Sequence, residues 1–181
     1  MFDVWCRLLI RVPASILWIP AINPQAEGNL KREAELRGVS ANRLIMAPLL
    51  HREAHLARMQ CADLFLDTLP YNAGTTCSDA LWMGLPVITC SGDSFVSRMA
   101  GSLLTSIGLP ELITYNLEDY YNLAVELALS KQKRESIRNI ILTNRDTSPL
   151  FDSRRFTLNL EKVYIKMMDN YSTQSTFSIT V

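Results

Sequence analysis

What the sequence lacks first is an excess of either charge: 18 lysines and arginines face 18 aspartates and glutamates in 181 residues. With no net field to gather a polyanion over distance, neither nucleic acid nor an anionic membrane surface is an expected partner, and any anion must be held by a local site. No apolar run reaches the roughly 18 residues of a membrane-spanning helix, and the opening MFDVWCRLLIRVP is too short and too broken by charge for a signal peptide. Cysteine is sparse: Cys6, Cys61, Cys77 and Cys90 form no C-x-x-C pair, and each lies in an apolar stretch where a thiol behaves as a small hydrophobe. A reducing cytoplasm is the expected setting, and no metal is expected. Repeats, low-complexity tracts and linkers are missing from residues 1–170, so one domain is expected there, with 171–181 as a frayed tail.

What is present is enough apolar residue, 48% of the chain, to bury one sizeable core. Residues 2–12 carry helical spacing and stop at Pro13. SILWIP at 15–20 reads as a strand, and QAEGNLKREAELRG, ending at Gly38, as a helix. The unit then recurs. RLIMAP (43–48), DLFLDT (63–68) and PVITC (86–90) read as strands, HREAHLARMQ (51–60) and TTCSDALWMG (75–84) as helices. Short, nearly all-apolar strands separated by helices imply a parallel sheet covered on both faces, a doubly wound α/β fold. After residue 91 the pattern becomes helical throughout, in FVSRMAGSLLTSIG, NLEDYYNLAVELALS, KQKRESIRNIILTN and SRRFTLNLEKVYIKMM. The three tryptophans fall on apolar faces and are expected in the core.

In such a sheet ligands bind beyond the carboxyl ends of the strands, which directs attention to loops 20–25, 48–51, 68–75 and 90–94. Two of these carry chemistry. TLPYNAG runs into Thr75 and Thr76 at a helix start, where Gly74 lets a ligand approach the backbone, and unpaired first-turn amides with two hydroxyls suit a phosphate. The plainer alternative is that one threonine is only an N-cap, with Ser78 and Asp79 as first-turn polar residues. In APLLHREAHLAR, Arg52, His55 and Arg58 stand at i, i+3 and i+6, a ring and fixed donors on one side of a helix that suit a nucleoside. The alternative is a solvated basic face, to which the residues alone assign His51. Asp67 and Asp93 suit turn or capping roles.

The run AHLARMQCADLFLDTLPYNAGTTCSDALWMGLPVITCSGDSFVSRMAGSLL, followed by SPLFDSRRFTLNLEKVY, resembles the C-terminal catalytic lobe of O-GlcNAc transferases, glycosyltransferase family 41, from about Phe2 to Tyr171. The PYNAGTT form is similar to bacterial members. The resemblance implies one Rossmann-like lobe of a two-lobed GT-B enzyme, usually preceded by tetratricopeptide repeats. That enzyme would move N-acetylglucosamine from UDP-GlcNAc to serine or threonine hydroxyls with inversion, without a metal. It implies Thr75 and Thr76 on the diphosphate and Asp79 on the ribose, with Leu50, His51, Arg52, His55 and Arg58 around the uridine. Arg52 stands where lysine is frequent, and Gly74 where animal members carry histidine. The family's leaving-group lysine and its first lobe, with the catalytic and acceptor residues, are not found in these 181 residues. No catalytic residue is therefore assigned, and UDP binding without turnover is expected. A non-catalytic nucleotide-binding or protein-interaction module is the rival reading. Apolar exposure near Tyr71 and Phe95 is expected where the other lobe would close.

Overall fold

The computed structural model describes residues 1–21 and 23–173. Among the described residues, eight α-helices and five strands alternate in the expected way at first: α1 (Phe2–Arg11), β1 (Leu17–Pro20), α2 (Pro24–Leu36), β2 (Leu44–Ala47), α3 (Arg52–Met59), β3 (Phe65–Leu66), α4 (Thr75–Trp82) and β4 (Val87–Cys90). Then come α5 (Met99–Ile107), β5 (Ile113–Thr114), α6 (Leu117–Leu129), α7 (Lys131–Asn144) and α8 (Ser153–Thr173). Helix α8 runs to Thr173, into the stretch expected as tail; residues 174–181 lie outside the described residues.

Local chemistry sets the element boundaries. Asn23 caps α2 by accepting from the Ala26 amide at 2.7 Å, and Pro24 occupies the first helical position, where its missing N–H is no loss. Asn116 caps α6 in the same way, accepting from the Asp119 amide at 2.8 Å. Gly84 ends the α4 segment with φ of +75°, and a Cβ there would stand 2.9 Å from Leu142 Cδ2, so both backbone and packing require glycine. Arg43 joins the α1–β1 turn to the start of β2, donating to the Val12 carbonyl at 2.8 Å and the Ser15 carbonyl at 2.7 Å.

All the strand pairs are parallel. β1 pairs with β2, with Leu17 opposite Leu44, and β4 lies between β3 and β5, with Phe65 opposite Val87 and Thr89 opposite Ile113. Every residue of β4 is buried, whereas the two of β3 are only half-buried. Each fully buried aliphatic side chain withdraws surface worth about 1.5–3 kcal/mol from water, so β4 dictates the register of the three-stranded sheet. Around it pack Cys77, Ala80 and Leu81 of α4, Leu104 of α5, Tyr120 of α6 and Ile141 of α7. A smaller cluster joins Leu17, Ala34, Val39 and Leu44. Helix α1 faces both, with Val4 and Leu8 in the larger cluster and Cys6 and Leu9 in the smaller.

The α/β architecture is as expected, with three differences. Strand β5 falls inside the stretch read as wholly helical. It is two residues long, too short to show any period, and it forms because the Pro110–Leu112 turn delivers Ile113 to the edge of β4. The segment from Phe95 opens as a 3-10 turn at Val96–Arg98, and the α-helix starts only at Met99. Trp18 and Trp82 are not core residues: they are 40% and 43% exposed, with the guanidiniums of Arg58 and Arg145 over their rings at 5.4 and 5.0 Å. No helix among the described residues is long and apolar enough to cross a membrane.

Three of the four cysteines are buried and Cys61 is exposed; burial pushes the Cys77 thiol up to about 12. Since the thiolate is the nucleophile, iodoacetamide at about pH 8 should modify the native chain at Cys61 alone, as read by peptide mass mapping. Equal labelling of Cys77 would contradict this core.

Candidate functional site

Strand β3 ends at Leu66, and Asp67, 1% exposed, organises the loop that follows. One of its carboxylate oxygens, Oδ1, accepts from the Thr68 amide at 2.8 Å and the Ala73 amide at 2.7 Å; the other, Oδ2, accepts from the Thr89 hydroxyl at 2.6 Å. The Tyr120 hydroxyl donates to the Asp67 carbonyl at 2.9 Å. Burial raises the Asp67 carboxyl above the usual range, outweighing these donors, which favour the ionised form. Asn72, also buried, donates from Nδ2 to the Thr68 carbonyl at 2.7 Å and the Cys90 carbonyl at 3.3 Å. The loop is thus tied to β4 from beneath.

It delivers the chain to α4 with Gly74 as the capping residue, and no side chain caps the helix. The plain N-cap reading of Thr75 or Thr76 therefore does not hold: both lie inside the first turn and are exposed. The Ser78 amide donates to the Gly74 carbonyl at 3.0 Å, so the amides of Thr75, Thr76 and Cys77 precede the first helical bond and stand at the positive end of the dipole. That turn carries no acidic residue to occupy it.

Helix α3 brings the second group. His51 precedes it without making a side-chain cap, and Leu50 is 46% exposed. Arg52, the first residue of α3, reaches toward Asp79, one turn into α4, with Nη2 4.0 Å from Oδ1. Arg58 is a brace rather than an open cation: Nη1 donates to the Pro48 carbonyl at 2.6 Å, Nε donates to His55 Nδ1 at 3.1 Å, and the guanidinium covers Trp18. A neutral imidazole that accepts at Nδ1 carries its proton on Nε2, so His55 presents a donor there.

The structure therefore places Arg52 and His55 on α3 and Thr75, Thr76 and Asp79 on α4, with Arg52 and Asp79 at 4.0 Å, Gly74 directly before α4, and Leu50 and His51 directly before α3. Residue type pointed to a turn role for Asp67, which it has, but gave no sign of its partners Thr89 and Tyr120 or of Trp18. The only signal for Asp67 was an aspartate directly ending an apolar strand. Tyr71 after β3 and Phe95 after β4 are exposed, as expected, at 70% and 75%, and so are Leu49 after β2 and Tyr115 after β5, at 86% and 77%. Two surface grooves, one lined by Arg7, Ile10 and Tyr121 and the other by Arg154, Arg155 and Lys162, include none of the site residues. No group of three or more histidine, cysteine, aspartate or glutamate side chains suited to a metal comes together among the described residues.

The family model of glycosyl transferase family 41 matches residues 1–160. A probable UDP-N-acetylglucosamine-peptide N-acetylglucosaminyltransferase of Arabidopsis thaliana is 37% identical over 166 residues, which cover 91% of this chain and 17% of that protein. The UDP-N-acetylglucosamine-peptide N-acetylglucosaminyltransferase of Caenorhabditis elegans is 32% identical over 169 residues, covering 93% of this chain and 15% of its own length. A mutant O-GlcNAc transferase of Thermobaculum terrenum superposes with a TM-score of 0.89 at 32% identity, over 96% of this chain and 34% of that one. The chain thus spans less than a fifth of the length of these curated relatives.

The brace predicts that Arg58→Ala costs about 0.5–1.5 kcal/mol of stability, from the lost hydrogen bonds to Pro48 and His55 and the lost cover over Trp18. Arg58→Lys should recover less than half of it, because an ammonium cannot reach both partners while covering Trp18. Urea unfolding of the three proteins decides this, and an unchanged midpoint in Arg58→Ala would show the brace to be idle.

Proposed function

The chain belongs to glycosyl transferase family 41, and from that premise we propose that it is the UDP-binding lobe of a protein O-linked N-acetylglucosamine transferase. The observation that carries the proposal is the approach of the first residue of α3, Arg52, to Asp79, one turn into α4 and behind its open amides. One small ligand can touch both.

In this reading the diphosphate lies at the start of α4, against the amides and hydroxyls of Thr75 and Thr76. Gly74 supplies close backbone approach rather than a side-chain contact. Asp79 exchanges its long contact with Arg52 for the ribose hydroxyls, and Leu50, His51, Arg52 and the Nε2–H of His55 surround the base. Arg58 acts indirectly, holding His55 and the Pro48 carbonyl in place. When the glycosidic bond breaks, negative charge grows on the departing UDP. Donors and a dipole already aimed at the phosphates stabilise that charge without reorganising and without a metal.

The relatives are named for transfer of N-acetylglucosamine from its UDP derivative to peptide, and UDP-GlcNAc as donor with a protein hydroxyl as acceptor is the corresponding proposal here. The acceptor and the groups that activate it are assigned to polypeptide outside these residues. The 181-residue chain alone is accordingly a nucleotide binder without turnover.

Amide shifts on titration with UDP test the site. Thr75→Ala and Thr76→Ala should each weaken UDP by about tenfold or more, since a donor to a charged group is worth about 1.5–3 kcal/mol, and should leave uridine nearly unchanged. Asp79→Ala should weaken both. If UDP shifts no amide from Gly74 to Asp79, or if the threonine changes affect uridine equally, the phosphate assignment fails.

A further inference from the structure

A seven-residue loop, Thr68 to Gly74, separates Asp67 from the first turn of α4, and one oxygen of Asp67 holds both of its ends. The Thr68 and Ala73 amides converge on Oδ1 at 2.8 and 2.7 Å, closing the loop into a ring. Through Oδ2 the same carboxylate accepts from Thr89 at 2.6 Å, and the Thr89 carbonyl accepts from the Thr114 hydroxyl at 2.9 Å, so the ring is fastened to β4 and through it to β5. Ala73 directly precedes Gly74, the capping residue of α4.

We infer that Asp67 is a positioning residue of the diphosphate site, fixing where the amides of Thr75 and Thr76 stand without touching the nucleotide. At 1% exposure it has no surface to offer a ligand. Its charge is taken up by two amides and a hydroxyl of the protein, and the helix start is held in place before an anion arrives. Preorganised donors of this kind lose affinity when their supports slacken, because the ligand must then order them itself. The Asn72 and Tyr120 bonds hold the middle of the loop and the end of the strand, but neither reaches Ala73 or Gly74.

The inference rests on the proposed UDP reading, and its chemistry separates three variants. Asparagine keeps an oxygen for both amides and can donate to Thr89 Oγ1 from its nitrogen, so Asp67→Asn preserves the clamp. Asp67→Ala releases both amides. Thr89→Val removes one donor and leaves the ring closed.

The test combines hydrogen exchange of the Ala73 amide in the ligand-free chain with UDP and uridine titrations of each variant. The expected result for Asp67→Ala is faster Ala73 exchange and UDP binding weakened by about tenfold, with uridine affinity kept. Asp67→Asn should match the wild type in both, and Thr89→Val should lose UDP affinity only a few-fold. Should Asp67→Ala not fold, Thr89→Val decides, and a UDP affinity identical to wild type would overturn the inference. Wild-type UDP affinity in a folded Asp67→Ala, or an equal loss of uridine, overturns it as well. If wild type does not bind UDP, the functional reading has failed; unchanged Ala73 exchange in Asp67→Ala then shows separately that the clamp is absent.

Discussion

A carboxylate removed from water at the end of a strand costs several kcal/mol unless donors surround it, and three surround Asp67. The loop after β3 can follow only a path that brings the Thr68 and Ala73 amides back to that oxygen while Thr89 reaches it from β4. Once that path is set, Gly74 begins α4 at a fixed height above the sheet, Cys77, Ala80 and Leu81 enter the core beneath, and Thr75 and Thr76 are left facing outward. The buried residues of α4 and its exposed first turn are two consequences of one polar anchor.

The second helix start is held differently. Arg58 draws together the Pro48 carbonyl, the His55 ring and the face of Trp18, so the segment between β2 and α3 is fixed by one guanidinium rather than by a buried carboxylate. The two arrangements approach each other at Arg52 and Asp79, where 4.0 Å is a loose contact that a ligand hydroxyl can replace. Beyond the strand ends, Leu49, Tyr71, Phe95 and Tyr115 are exposed.

Much of this was legible from residue types alone. The alternation of apolar runs with amphipathic segments located four of the five strands, and glycine followed by two threonines pointed to a helix start with open first-turn amides, which α4 has. What escaped had no local signature. β5 exists because a neighbouring strand receives it, and two residues carry no periodicity. Arg58 and Trp18 lie forty positions apart, and their stacking depends on β1 and β2 pairing in parallel. Asp67 could be read as a turn residue, which it is, but the convergence of Thr89 and Tyr120 on it arises from the sheet and from α6 packing. The choice of UDP as the proposed nucleotide comes from the family alone, since composition and spacing distinguish no nucleotide.

The central claim is that the α4 first turn, held by Asp67, receives a diphosphate whose nucleoside reaches α3. A crystal structure of the chain grown with UDP tests it most directly. The account predicts phosphate oxygens within hydrogen-bonding distance of the amides and hydroxyls of Thr75 and Thr76, the ribose on Asp79, and the Arg52 to Asp79 contact opened. UDP bound with its phosphates anywhere else, or an α4 first turn left vacant beside nucleotide held at another surface, would contradict it.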